Sequence, residues 1–159
     1  MRVPLDAKDG EQTIFDGLIA AREKFGDKEI LEDLDRKPLT YTGLIRAAFV
    51  LGRKIAAMTE LSERVGILLP SSAGVVVTYY GLHAHGRVPV MLNFTSGQAN
   101  IKAAIKAAGV KKILCAKRFV TLTGDLWANP QGWVSLDDLR KPFGSVDNLE
   151  KTAVEAGDG

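Results

Sequence analysis

The chain has 159 residues, 46% hydrophobic and 25% charged, with 21 Lys and Arg against 19 Asp and Glu for a formal net charge of +2. Those fractions belong to an ordinary globular domain and exclude a disordered tail or a fibrous repeat. Charges that nearly cancel give no electrostatic case for a nucleic-acid surface or a polybasic membrane surface.

A chain of this length is expected to form one domain over residues 1–159, burying roughly 68–70% of its unfolded surface. Its single cysteine, Cys115, cannot form an internal disulfide, which points to a reducing, cytoplasmic compartment. Cys115 lies in the apolar run Ile113-Leu114-Cys115-Ala116 and is expected to act as a small buried hydrophobe. The opening Met1-Arg2-Val3-Pro4-Leu5-Asp6 has no apolar core and does not read as a secretory signal. No stretch reaches the roughly 18 continuous apolar residues of a membrane span.

The first element is a helix from Gln12 to Lys24, with Ile14, Leu18, Ala21 and Phe25 on one face and Gly26 as its stop. Two short extended runs, Glu29–Asp33 and Leu39–Tyr41, flank a polar turn and predict a small hairpin. Thr40 or Thr42 then caps a long helix whose stripe is Leu44, Ala48, Leu51, Ile55 and Ala56.

The middle of the chain alternates strand and helix. Arg64–Leu69 is a short apolar run closed by Pro70, as suits a buried strand. Ala73–His85 contains the β-prone run Val75–Tyr80, yet parallel strands need a crossover of about a dozen residues, so it is expected to be a helix buried on most sides. Val88–Leu92 is the next strand, with Pro89 limiting its hydrogen bonds. Gln98–Ala108 is an amphipathic helix closed by Gly109, and Lys112–Cys115 is a third strand. Residues 64–116 therefore predict an α/β fold with a parallel β-α-β-α-β core, preceded by a helix and a hairpin.

Beyond Cys115 the pattern loosens. Phe119, Val120 and Leu122 suggest a helical turn or short helix, Trp127–Trp133 a loop with aromatic anchors, Val134–Leu139 a short strand running into a helical turn, and Ser145 the cap of a last helix through Ala156. Three good parallel strands look like an unfinished sheet, whose exposed edge is expected to drive self-association.

Few residues invite chemistry. His83 and His85 sit two apart on a helix, on roughly opposite sides of its axis, and cannot chelate one metal together. No Gly-x-Ser-x-Gly elbow is present. Glu29, Glu32, Asp33 and Asp35 crowd the hairpin as a solvated turn rather than a catalytic carboxylate pair. Lys111, Lys112, Lys117 and Arg118 read as an exposed edge or loop, and Trp127, Trp133 and Phe143 as core or loop anchors. The nearest thing to a site is Asn93-Phe94-Thr95, in a loop between a strand and a helix, where amide groups and the helix dipole favour an anion. The competing role there is a polar helix cap. Neither a Walker lysine pattern nor Gly-x-Gly-x-x-Gly accompanies it.

Leu39-Thr40-Tyr41 at a helix start, Arg64-Val65-Gly66-Ile67-Leu68-Leu69-Pro70-Ser71-Ser72, and Gly86-Arg87-Val88-Pro89-Val90 together resemble the adenylate-forming acyl ligases. Phe49–Lys54, Gly86–Thr95 and Arg118–Val120 are similar to one branch, the synthetase part of the bifunctional 2-acylglycerophosphoethanolamine acyltransferase/acyl-acyl-carrier-protein synthetases. The likeness covers about residues 11–122 and implies the incomplete doubly wound sheet of that family's large N-terminal domain. It further implies a longer parent enzyme that uses ATP and Mg, joins a fatty acid to AMP with release of pyrophosphate, and passes the acyl group to acyl carrier protein or CoA. In that branch the product feeds lysophospholipid reacylation at the inner face of the membrane.

Thr95-Ser96-Gly97 begins like the family's phosphate loop, Thr-Ser-Gly-Thr-Thr-Gly-x-Pro-Lys, but Gln98-Ala99-Asn100 lacks its second glycine, proline and lysine and falls too early in the chain. The family's later adenine-binding motifs, hinge and catalytic lysine are also missing. No catalytic or metal-binding residue is assigned, and no cofactor is expected in this chain alone, which is expected to be an inactive N-terminal portion of a ligase. Asn93, Phe94 and Thr95 remain as residues that would border a pocket completed by the rest of the parent. Two other classes remain open: a catalytically inactive scaffold or regulatory module, and a free-standing nucleotide-binding module.

Overall fold

The computed structural model describes residues 10–32, 37–116 and 133–135. Helix α1 (Ile14–Phe25) begins at Thr13, whose hydroxyl accepts from the Asp16 N–H while the Asp16 carboxylate accepts from the Thr13 N–H. This capping box starts the helix two residues later than hydrophobic periodicity suggests. Strands β1 (Glu29–Glu32) and β2 (Pro38–Thr40) pair antiparallel, with Leu31 opposite the buried Leu39. Thr40 rather than Thr42 caps helix α2 (Tyr41–Ala56), accepting from the Gly43 N–H at 3.1 Å. Thr42 instead donates its own N–H to the Asp27 carboxylate at 2.8 Å.

The main sheet contains β3 (Arg64–Leu68), β4 (Val88–Met91), β5 (Lys112–Cys115) and β6 (Trp133–Ser135), in the order β4-β3-β5-β6 with every neighbouring pair parallel. Helix α3 (Ala73–Ala84) carries the chain from β3 outward to β4, and α4 (Gln98–Ala108) carries it back across β3 to β5. Right-handed crossovers travelling in opposite directions must put their helices on opposite faces. Two separate cores follow. Val65, Ile67 and Leu114 pack with Leu44, Ala47, Leu51, Ile55, Val77 and Leu82 beneath α2 and α3. Leu68, Leu92 and Ile113 pack with Ile101 and Ile105 beneath α4. Alternate residues of β3 thus serve both faces, as a period of two requires.

The β-prone run in α3 is helical because the crossover needs that length, and its residues bury on several sides. Val77 and Leu82 are buried, while Val75, Val76, Tyr79 and Tyr80 are partly buried against the same core. Thr78 is fully buried and donates its hydroxyl to the Gly74 carbonyl one turn back at 2.6 Å. Helix α4 ends at Gly109 with φ 63° and ψ 34°, a left-handed cap that glycine adopts without strain.

The sheet carries a fourth strand, β6, one more than the three well-formed strands of the sequence pattern; residues 136–139 of the expected Val134–Leu139 strand lie outside the described residues. The expected turn at Phe119–Leu122, the Trp127–Gly132 loop, Phe143 and the final helix also lie outside them. The exposed edge expected to self-associate is β4, and it is blunted. Val88 and Leu92 donate their N–H groups inward to β3, so positions 89 and 91 face outward. Pro89 removes one of those outward donors.

Candidate functional site

In an open α/β sheet a ligand crevice forms at the carboxyl ends of two strands whose following connections leave in opposite directions. Here β3 leads to β4 on one side and β5 leads toward β6 on the other, so that point lies between β3 and β5. Leu68 and Cys115 are register partners there, and both are buried. The chain leaves β3 through Pro70, Ser71 and Ser72 into the N-terminus of α3. Ser72 occupies the cap position but makes no side-chain cap bond; its hydroxyl donates to the Pro70 carbonyl at 3.2 Å.

The sequence-derived residues Asn93, Phe94 and Thr95 lie one strand away, after the edge strand β4. The Asn93 carboxamide oxygen accepts from the Thr95 N–H at 2.9 Å and from the Thr95 hydroxyl at 2.8 Å. Ser96 donates its hydroxyl to the Asn93 carbonyl at 2.7 Å, closing a single 3-10 turn over Phe94–Ser96. The Phe94 side chain is exposed. Gly97, with φ 82° and ψ 157°, then turns the chain into α4 without a side-chain cap. The three residues are brought together in one turn, with Asn93 and Thr95 engaged with each other.

The carboxyl rim as described is chemically poor. Residues 69–72, 92–97 and 115–116 include no Asp, Glu, Lys, Arg or His, so they hold neither a cation for a developing phosphate charge nor a carboxylate for a metal. Among the described residues no group of three or more His, Cys, Asp or Glu side chains is placed to hold a metal. These residues do not fit a nucleotide triphosphate with its magnesium.

The ionisable residues serve structure instead. His85 donates Nε2–H to the Phe49 carbonyl at 3.0 Å, since a carbonyl can only accept. His83 lies edge-on to the Tyr79 ring at 4.7 Å, its Nε2 is buried without a hydrogen-bond partner, and burial lowers its pKa. The two rings do not converge, as their spacing requires. Cys115 is buried, its thiol directed at the Val134 carbonyl at 3.7 Å. Glu29 and Glu32 are exposed on β1; Asp33 and Asp35 lie outside the described residues.

Lys112 corrects the reading of an exposed basic edge, because β5 is an interior strand and Lys112 reaches Glu63 at 3.1 Å. Burial alone would raise the Glu63 pKa, but the Glu60 N–H and the Lys112 ammonium bind the carboxylate, and the net shift is downward. Lys117 and Arg118 lie outside the described residues. The sequence reading missed Arg87. Its Nε donates to the Thr59 hydroxyl at 3.0 Å and its Nη2 to the Ala56 carbonyl at 3.0 Å, with further bonds to the carbonyls of Thr59 and His85. This one guanidinium ties the C-terminal ends of α2 and α3 together. Gly86, with φ 69°, makes the turn that aims it and is the only local signal for it.

An open parallel sheet with helices on both faces, its connections reversing direction between the central strands β3 and β5, defines a doubly wound α/β domain. A family profile described as AMP-binding enzyme matches residues 19–153, and the chain belongs to that family. Solved structures share the fold. The o-succinylbenzoate CoA synthetase MenE of Bacillus subtilis in complex with AMP matches with a TM-score of 0.70 at 18% identity, over 82% of this chain and 33% of that one. The N-terminal subdomain of Klebsiella oxytoca NpsA, in complex with 3-hydroxybenzoyl-AMSN, matches with a TM-score of 0.67 at 20% identity, over 82% of this chain and 31% of that one. The N-terminal domain of FACL13 from Mycobacterium tuberculosis matches with a TM-score of 0.68 at 17% identity, over 87% of this chain and 36% of that one. The chain thus spans about a third of the length of the structures it matches. Among the described residues no helix is long and apolar enough to cross a membrane.

Proposed function

We propose that this chain contributes the opening part of the large domain of an adenylate-forming acid–thiol ligase. The observation that carries this reading is the family match over residues 19–153. In this reading the chain supplies the β4-β3-β5-β6 part of the sheet, the Ser71–Ser72 turn and the Asn93–Thr95 loop as walls of a pocket. The phosphate cradle, metal ligand and activating cation come from elsewhere in the parent, which binds ATP and Mg. MenE, at 18% identity, has been solved with ATP and a magnesium ion. The substrate class is a fatty acid and the acceptor is the thiol of acyl carrier protein or CoA. A role in lysophospholipid reacylation is supported by the resemblance of Phe49–Lys54 and Gly86–Thr95 to that branch.

The test is ATP–pyrophosphate exchange driven by a fatty acid. The purified chain is expected to stay at background, and a longer protein containing it is expected to exchange and to load acyl carrier protein. Exchange by the chain alone would overturn the division of labour. Tight ATP binding without exchange would favour a free-standing nucleotide module, and neither activity in the longer protein would favour a scaffold.

A further inference from the structure

An apolar cleft of about 480 Å³ lies between α1, β1, α2 and α3, and no residue lining it carries a charge at neutral pH. Leu18 and Leu44 are its buried members, while Ile14 on α1 and Ile30 on β1 are 45% and 38% exposed. Gly17 also lines it, and a β-carbon there would meet nothing within 4 Å. A glycine inside a helix is destabilising relative to alanine, and no neighbour among the described residues accounts for this one. Its effect is to keep open a cleft that a side chain would narrow. Phe25 follows Ile14, Leu18 and Ala21 on the same stripe of α1 and is 47% exposed. The ammonium groups of Lys24 and Lys28 lie 5.3 and 5.8 Å from the centre of its ring. Neither forms a salt bridge among the described residues. Glu23, Asp27 and Glu29, the carboxylates nearest in sequence, are exposed, and Asp27 is bonded by the Thr42 N–H.

We propose that this cleft takes a free single-chain alkyl anion, its chain along Ala21, Gly17 and Ile14 and its head at Lys24 and Lys28. An uncharged cleft that ends at two unpaired cations is complementary to a molecule with an apolar tail and one anionic end. A cationic head would meet repulsion there. The stripe from Ile14 to Phe25 covers about 16 Å of helix, the reach of a medium alkyl chain. None of the lining residues belongs to the carboxyl rim at 69–72, 92–97 and 115–116, so the occupant is an effector bound apart from it. Occupancy would tie α1 and β1 to α2 and α3 and so stabilise the folded chain. The cleft and its cations stand or fall separately from the ligase reading.

The experiment is calorimetric titration of the full chain with dodecanoate and with dodecyl phosphate, each below its micelle concentration, with thermal unfolding as a second readout. Saturable binding of one molecule per chain and a raised Tm are expected, and the tighter of the two identifies the head group. Octanoate should bind roughly tenfold more weakly, since each buried methylene contributes. Gly17→Leu fills the cleft and should lose binding while it folds, because leucine is the better helix former. Ile30→Asp provides the same test should Gly17→Leu fail to fold, and circular dichroism checks both. The double variant Lys24→Gln/Lys28→Gln should bind dodecanoate about fivefold more weakly, the scale expected of exposed charges. No binding, equal binding of dodecyltrimethylammonium, or a folded Gly17→Leu variant that binds like the parent would overturn the proposal. Unsaturable uptake of many molecules per chain would also overturn it and mark an adventitious additive only. Binding is read without catalysis, so its failure leaves the ligase reading untouched, and failed pyrophosphate exchange leaves the cleft untouched.

Discussion

Gly52 and Gly81 place the backbones of α2 and α3 in direct contact. A β-carbon at Gly52 would lie 2.2 Å from the Gly81 carbonyl oxygen, and one at Gly81 would lie 2.7 Å from the Ala48 carbonyl oxygen. Neither distance is tolerable, and the obstruction is backbone that cannot rotate away. Gly52→Ala must therefore separate the helices and disturb Leu51 and Ile55, which lie on the same buried face. The cost of such overpacking is typically about 1–3 kcal/mol, and it exceeds the roughly 1 kcal/mol that alanine returns in helix propensity. A lowered urea midpoint for Gly52→Ala is the expected outcome; an unchanged one would mean that the helices do not cross this closely.

Arg87 gathers carbonyls at the C-terminal ends of two helices, where helix geometry leaves acceptors without intrahelical donors. Arg87→Met removes the donors to the Thr59 and His85 carbonyls, while the Ala56 carbonyl keeps the Thr59 N–H at 3.4 Å, and should cost about 1–3 kcal/mol. Arg87→Lys should recover little, since a single ammonium cannot reproduce the planar fork. Chemical denaturation of both variants tests this, and full rescue by lysine would show that charge rather than geometry is what matters.

Stability should fall with acid in two windows. Burial holds the His83 pKa below its ordinary 6.5, so the unfolded chain takes up that proton first. Its contribution is complete above 6.5 and declines as pH falls through that value toward the lowered folded pKa. Glu63 has a net pKa below its ordinary 4.5, because burial, which raises it, is outweighed by the Glu60 N–H and Lys112. Its contribution is complete above 4.5 and is lost as pH falls further. Asp16, held down by the Thr13 hydroxyl, and Asp27, held down by the Thr42 N–H, act with the same sign. Thermal unfolding against pH should show Glu63→Gln with a shallower acid limb, and His83→Phe with less decline below neutrality. An acid limb identical in Glu63→Gln would remove the Lys112 pair from the account.

Pro89 sits where the free edge of the sheet would otherwise present an outward N–H. Pro89→Val restores that donor beside the exposed Val88 and Met91. Sedimentation velocity should then show concentration-dependent association that is weaker in the parent chain. Equal association of the two would place any self-contact away from β4.

Local signals made much of the fold legible. The bounds of Gln98–Ala108 are legible because its apolar spacing and terminal Gly109 agree, and those of Lys112–Cys115 because a short apolar run between breakers has few alternatives. Hydrophobic periodicity does not mark Thr13, because what makes it a cap is its polar partner Asp16, one turn inside the helix. The candidate loop Asn93–Thr95 is legible from its place between strand and helix, but its separation by one strand from the point between β3 and β5 is not, since that depends on strand order.

The sequence by itself determined the helices and strands up to Cys115, that β3, β4 and β5 run parallel, and the family to which the chain belongs, because periodicity, breakers and short motifs are local properties. Only the tertiary structure decided that β3 and β5 are neighbours, that Gly52 meets Gly81, that Arg87 closes two helix ends, and that Lys112 is paired. Each of these joins residues far apart in the chain, and such contacts are selected by packing and polar satisfaction in the folded state rather than by local preference.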